Sequence, residues 1–268
     1  MTRLNIFLVL IAGGLLTTAY AAKSTQSTNY SNHKNTTDST MNKPLKFNKE
    51  ITDLKELRML ADAELNSGAR VGYVGLFFSQ YATQSENPLE VQKLFETEYL
   101  QKVLEKGFFS DVLSARLNIL TRMLGKGMRD EAFALENQFL DDVQEYKDKI
   151  NAPLVWSLYA SLSGTYRTLT RHLEGKAKIS AYRSTLIYLV LAKEAAKEIG
   201  RNDLALSSLN RMMDVYIELG RFDQVEKFYH EIKPLAEASD DPNKLALLNT
   251  YEKLVIEYNR LKSQGKVK

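Results

Sequence analysis

The sequence predicts an all-α fold built from antiparallel helical hairpins, and three observations support this prediction. After Pro44, apolar residues recur at three- and four-residue spacing almost everywhere, as they do between Leu245 and Leu261. This spacing is the period of a helix. No segment shows sustained two-residue alternation, and no Asn-Gly or Asp-Gly pair marks a β-hairpin. Proline and glycine residues divide the periodic region into segments of helical length.

Local signals predict where individual helices begin and end. Asn87-Pro88 combines a capping asparagine with proline at the first helical position, and both favour a helix start. Gly200 and Gly220 each follow an apolar run and are typical of helix ends. Pro234 is expected to kink or end its helix. The predicted helices span 48–66, 71–84, 88–105, 109–125, 128–148, 153–172, 180–199, 203–219, 222–238 and 243–262.

Residues 1–21 have the pattern of a signal peptide. Arg3 precedes an apolar run from Leu4 to Leu16, and Ala19-Tyr20-Ala21 provides a small-x-small cleavage site. Crossing a bilayer takes about 20 apolar residues, which is more than this run contains. We therefore expect cleavage after Ala21, export to the periplasm or out of the cell, and no stable membrane insertion of the mature chain.

Two regions follow the predicted signal peptide. Residues 22–46 are rich in Ser, Thr and Asn and contain almost no aliphatic residue. Such a composition cannot offset the entropy cost of ordering the backbone, so it predicts a disordered tether. Residues 47–265 are expected to form the helical domain. The hydrophobic fraction of 44% is that of an ordinary globular protein.

Charge argues against nucleic-acid binding. The formal net charge is +3, but four cations and only one acid precede Pro44, so the remainder of the chain is neutral. Nucleic-acid binding draws much of its affinity from Lys and Arg side chains that neutralise phosphates. A neutral domain with interspersed charges provides no such surface.

No residue pattern indicates an enzyme, a metal site or a cofactor site. The chain has no cysteine, and its histidines are His33, His172 and His230. His230 lacks the second histidine one turn away that a zinc-protease helix needs. No phosphate-binding glycine loop or serine nucleophile elbow is present. Gly72 and Gly75 are interpreted as sites of close helix contact.

The segment at 205–235 resembles the tetratricopeptide repeat (TPR) family. The Tyr216-x-x-x-Gly220-x-Phe222 core matches this repeat, whereas Met213 and Val225 stand where the family favours glycine and alanine. Weaker similarity extends over 109–262. The resemblance implies a solenoid, in which each helical hairpin stacks on the next. The positions that carry it are Leu209, Met212, Tyr216, Gly220, Phe222, Val225, Tyr229 and Ile232.

The resemblance implies a scaffold or adaptor that binds a protein or peptide partner on the first helices of its hairpins. The partner-binding residues it implies are Asn118, Thr121, Arg167, Asn210, Arg211 and Asp214. Asparagine and arginine side chains can hydrogen-bond an extended peptide backbone or its carboxylates. Two alternatives stay open, namely an exported hydrolase of cell-envelope glycans and an extracytoplasmic sensing module. The sequence leaves the oligomeric state open.

Overall fold

The computed structural model of the chain describes residues 50–67, 72–238 and 244–265. The predicted signal peptide at 1–21 and the predicted tether at 22–46 lie outside the described residues. Glu50–Lys268 form one compact unit. Helices account for all of the regular structure in the described part of the chain, which contains no strand. The prediction of an all-α fold is therefore confirmed.

The predicted helices are recovered, most of them within three residues at each end. They are α1 (Leu54–Asn66), α2 (Val74–Gln84), α3 (Pro88–Leu94), a π-helical turn (Phe95–Tyr99), α4 (Leu100–Glu105), α5 (Phe109–Gly125), α6 (Arg129–Tyr146), a 3₁₀ turn (Lys147–Lys149), α7 (Ala152–Leu169), α8 (Gly175–Glu198), α9 (Asn202–Glu218), α10 (Phe222–Glu237) and α11 (Lys244–Ser263).

Two helix starts differ from the prediction by five or six residues. Helix α1 begins six residues late because the Asp53 side chain caps it, accepting a hydrogen bond from the Glu56 N–H at 2.8 Å. Helix α8 begins at Gly175 instead of residue 180. Pro234 does not end its helix, because α10 continues to Glu237.

Glycine ends four of the helices with the same geometry. Gly107, Gly127, Gly200 and Gly220 have φ between 66° and 76°, a left-handed conformation that costs a residue without a β carbon little. After Gly220, for example, the Arg221 N–H donates to the Tyr216 carbonyl at 2.9 Å. This bond closes the turn between α9 and α10 and satisfies a carbonyl at the end of α9. The predicted helix ends at Gly200 and Gly220 are confirmed.

Contacts between helices follow the order of the chain, with three additions. From α7 to α11 each helix packs against the next one, and α5 packs against α6. In addition, α5 packs against α2, α3 and α7, each time across intervening elements. Helices α2, α5 and α7 therefore lie side by side, while α6 packs against α5.

The buried apolar residues form two clusters. The N-terminal core extends from Ile51 to Leu162 and is joined by Tyr188 of α8. The C-terminal core begins at Leu189 and continues to Tyr251 of α11. Helix α8 therefore contributes to both cores, through neighbouring residues on its buried side.

Helices α2 and α5 approach each other so closely that the contact has room only for glycine. A β carbon on Gly75 would lie 2.3 Å from the Asp111 carbonyl oxygen, and one on Gly72 would lie 2.4 Å from the Phe108 ring. The backbone N–H groups of Val74 and Gly75 donate to the buried Asp111 carboxylate. The interpretation of these glycines as sites of close helix contact is confirmed.

Candidate functional site

The six predicted partner-binding residues all lie on α5, α7 and α9, where they follow one another along adjacent helices. Asn118 and Thr121 belong to α5, Arg167 to α7, and the remaining three to α9. All six are partly buried. We call α2, α5, α7 and α9 the first helices, because each is followed by a helix that packs back towards it.

Polar side chains join α2 to α5 and α5 to α7. The Asn118 amide donates to the Ser79 hydroxyl at 3.1 Å and to the Ser114 carbonyl at 2.9 Å. The hydroxyl oxygens of Thr121 and Thr165 lie 3.3 Å apart. These contacts link neighbouring first helices directly, with no side chain from the second helices between them.

An ion-pair cluster joins α7 to α9. The Arg167 guanidinium lies 3.4 Å from Asp214 and 2.5 Å from Glu218. Burial raises the pKa of Asp214 although the nearby Arg167 charge opposes this change. Arg167 and Asp214 are thus brought together, as partners within the chain.

Trp156 and Arg211 form a second contact between the same two helices. The indole N–H of Trp156 donates to the Ser208 hydroxyl at 2.9 Å. The Arg211 guanidinium lies 5.9 Å from the centre of the indole ring and donates to the Ala160 carbonyl at 3.4 Å. Among the described residues Arg211 makes no salt bridge to a carboxylate. Its cation is therefore available to an acidic or carbonyl group from outside.

Two polar atoms of α9 and α11 lack a hydrogen-bond partner within the described residues. They are the Asn210 side-chain oxygen and the Tyr251 hydroxyl, and both are fully buried. Burial raises the pKa of Tyr251, and the Asp214 charge adds to this effect. Leaving a buried polar atom unpaired costs about 1–3 kcal/mol, so such atoms usually find a partner.

Sequence reasoning missed two features of this region. The first is Trp156, which is only partly buried and connects α7 to α9. No local pattern indicates its contact with Ser208, because the two residues are 52 positions apart. The second is Glu218, the closer partner of Arg167, which lies 51 positions away along the chain.

A buried glutamate was also missed. Glu136 of α6 accepts a hydrogen bond from the Tyr166 hydroxyl at 2.8 Å and another from the Tyr188 hydroxyl. The Tyr166 and Tyr188 rings stack with their centres 5.8 Å apart. Both carboxylate oxygens are therefore occupied by tyrosines that bridge α6, α7 and α8. This arrangement stabilises helix packing, since both hydroxyls satisfy the buried charge.

The described residues contain no group of three or more His, Asp or Glu side chains arranged to hold a metal ion. Within the same residues, no helix is both long and apolar enough to cross a membrane.

Comparison with models of protein families, with curated proteins and with solved structures finds no match to this chain. The resemblance to the TPR family therefore stays a prediction, and the function must be inferred from the chain's own residues.

Proposed function

We propose that the helical domain is a solenoid of stacked hairpins that binds a protein or peptide partner noncovalently along its first helices. The observation that carries this proposal is the row of polar contacts from α2 to α9. Ser79 meets Asn118, Thr121 meets Thr165, and Trp156 meets Ser208. Adjacent first helices form a continuous surface in solenoid proteins, and such surfaces are their usual binding sites.

The part of this row best suited to a partner lies on α9. The side chains of Asn210 and Arg211 are partly exposed, and the Arg211 cation forms no salt bridge within the described residues. An extended peptide can bind both side chains, because its N–H groups donate hydrogen bonds and its carbonyl or carboxylate groups accept them. The Trp156 ring next to Arg211 adds an amphipathic surface of the kind enriched at binding interfaces.

The other predicted residues have a positioning role in this proposal. Arg167 and Asp214 pair with each other, and Asn118 hydrogen-bonds Ser79, so these side chains hold the first helices in register. Their contribution to binding is therefore indirect.

We further propose that the chain acts after export, with residues 1–21 removed as a signal peptide. The intact mass of the exported protein tests this proposal.

The binding proposal is tested with a partner captured by the mature chain from a cell-envelope extract and then purified. Titration calorimetry with the wild type gives the reference dissociation constant. Combining Asn210→Ala with Arg211→Ala is expected to weaken binding roughly tenfold or more, because both a hydrogen bond and a charge-assisted contact are lost. Helicity should stay within error of the wild type, and the melting temperature should fall only slightly, by the loss of the Arg211 contacts with Trp156 and Ala160.

The matched control is Lys227→Ala combined with Lys233→Ala. Both lysines are exposed on α10, which is a second helix. This control should bind with the wild-type affinity. Equal affinities of the wild type and the Asn210/Arg211 variant would overturn the proposed face, and equal losses in both variants would show that binding depends on general charge.

A further inference from the structure

Helix α8 has an exposed apolar face that neither core uses. Ile187 is 58% exposed, Ile179 50%, Val190 40% and Leu191 36%. Ile187 lies eight residues after Ile179, and Val190 and Leu191 lie three and four residues after Ile187, so all four lie on one side of the helix. A nearly continuous apolar run such as 186–191 is typical of a helix buried on several sides. In the structure, however, only the opposite side of α8 is packed.

The packed side of α8 accounts for its role in the fold. Its buried residues are Ala181, Tyr182, Thr185, Tyr188, Leu189, Ala192, Ala195 and Ala196. These residues face α7 and α9, which are the two helices that α8 packs against. A solvent-facing side normally carries polar residues. The aliphatic residues on the exposed side of α8 therefore call for a separate explanation.

Unpaired cations accompany the apolar residues. Arg183 lies between Ile179 and Ile187 on the same side, and Lys176 precedes them by one turn. Arg171 is exposed in the link before α8. Within the described part of the chain, none of these three cations forms a salt bridge. Because the chain after Pro44 is neutral overall, this positive charge is a local feature of one surface.

The acidic residues of α8 do not neutralise this end of the helix. Glu194 lies two turns beyond Ile187 and pairs with Lys193 at 3.4 Å. Glu174 is the one acidic residue in the exposed link from Arg171 to Glu174. The first half of the exposed face of α8 thus combines aliphatic side chains with uncompensated positive charge.

We propose that this face of α8 binds the surface of an anionic phospholipid membrane. Helices that lie in a membrane interface bury an aliphatic side below the headgroups while Lys and Arg contact anionic lipids. Here the lysine and arginines would contact lipid phosphates, and Ile179, Ile187 and Val190 would enter the acyl boundary. The interaction is peripheral and reversible, because α8 remains packed in the fold along its other side.

Two other occupants are less compatible with these residues. A second copy of the chain in a twofold contact would place the cations Lys176 and Arg183 in the same interface as the identical cations of the other copy, where like charges repel. An acidic protein would satisfy the cations, but the apolar members are aliphatic. Protein interfaces draw most of their affinity from Trp, Tyr and Arg anchors held in pockets.

Sedimentation with lipid vesicles tests the proposal. Vesicles of phosphatidylcholine alone are compared with vesicles that also contain phosphatidylglycerol. All proteins lack residues 1–21, which lie outside the compact unit and whose apolar run would itself insert into lipid. Circular dichroism and thermal melting establish that each variant is folded. The wild type should bind the anionic vesicles, release them in high salt, and fail to bind the neutral vesicles.

Replacing two apolar residues of α8, with a matched control pair on other helices, tests whether binding requires α8 or is general hydrophobic adsorption. Ile179→Ser combined with Ile187→Ser should weaken binding to anionic vesicles roughly tenfold or more. The control combines Met59→Ser with Ile256→Ser, residues that are 61% and 62% exposed on α1 and α11. The control should bind as the wild type does.

Substitution of two cations of this face completes the test. Lys176→Gln combined with Arg183→Gln should also weaken binding roughly tenfold, since each cation near an anionic surface contributes to the affinity. Lys106→Gln combined with Lys233→Gln is the control, because both lysines are exposed and unpaired in the described residues. The proposal is overturned if the folded wild type ignores anionic vesicles. Binding that survives both α8 variants, or self-association through α8 without lipid, would also overturn it.

Discussion

The two cores of the molecule support similar helix packing with different chemistry. The N-terminal core places charged groups inside, where Arg116 lies 2.5 Å from Asp142 and 3.3 Å from Glu96. The C-terminal core, from Leu189 to Tyr251, is built from aliphatic, methionine and aromatic residues. The N-terminal half therefore depends on a buried ion pair in addition to apolar packing.

Aromatic packing distinguishes the N-terminal core further. Phe78 of α2 lies 5.0 Å from Phe95 and 5.2 Å from Tyr99, measured between ring centres. Both partners belong to the π-helical turn, in which the Leu100 N–H donates to the Phe95 carbonyl five residues back. Such turns interrupt α-helices locally. Here the π-helical turn carries the two rings, Phe95 and Tyr99, that are buried against Phe78. It interrupts the segment 88–105, which was predicted as one continuous helix.

The largest expected effect comes from removing the buried cation of the N-terminal core. Arg116→Met keeps the side-chain volume but leaves Asp142 and Glu96 without their partner. We expect a loss of about 3 kcal/mol in the free energy of unfolding at neutral pH. Urea denaturation measures it. The control is Arg58→Met, because the Arg58–Glu98 pair is exposed and should contribute less than about 1 kcal/mol. Equal losses would contradict the distinction.

The second effect is a pH dependence that belongs to the same core. Burial raises the pKa of Asp111 to about 6, although the N–H groups of Val74 and Gly75 oppose this by donating to it. The folded chain then holds a proton that the unfolded chain releases near pH 4, so stability falls as pH rises from about 4 to about 7. Asp111→Asn should remove about 2 kcal/mol of this fall.

Urea denaturation at a series of pH values measures the effect as a difference in slope. Asp142, whose pKa burial also raises to about 6, keeps a similar slope in the Asp111→Asn variant and so serves as an internal reference. The same pH slope in the wild type and in the variant would show that Asp111 titrates normally in the fold.

The smallest expected effect lies in the turn before α10. A β carbon on Gly220 would have no atom within 4 Å, so the cost of Gly220→Val comes only from its φ of 66°. We expect a loss of about 1–2 kcal/mol and a lower melting temperature. Gly164→Ala is the control, because Gly164 is helical and also has open space, so alanine should stabilise α7 slightly. An unchanged melting temperature for Gly220→Val would argue against the repeat assignment.

Sequence patterns predicted the helices better than the contacts between them. Helix periodicity, the Asn87 cap and the glycine at 220 are local signals, and each was confirmed. The π-helical turn and the exposed side of α8 depend on residues distant in the chain, and local patterns do not report such neighbours. Ile187 illustrates this, since an apolar run reads as buried whether or not a neighbour covers it.

The candidate site shows the same limit. Register along the first helices placed all six residues on α5, α7 and α9, because that step needs only helix order and periodicity. The sequence could not show that Arg167 pairs with Asp214, or that Arg211 lies beside Trp156. These contacts depend on how far one helix slides along the next, which the spacing of residues within each helix does not determine.

The side-by-side order of the first helices is the central claim, and a disulfide tests it most directly. The hydroxyls of Thr121 on α5 and Thr165 on α7 lie 3.3 Å apart, so a small relative movement of the two helices brings their β carbons to the roughly 4 Å that a disulfide needs. The chain has no native cysteine, so Thr121→Cys with Thr165→Cys adds the only thiols. Mild oxidation should form an intramolecular disulfide, detected by intact mass and by mobility on a non-reducing gel. The offset pair Thr121→Cys with Thr168→Cys should form it much more slowly. Absence of the disulfide in the folded first pair, or equal rates for both pairs, would contradict the arrangement.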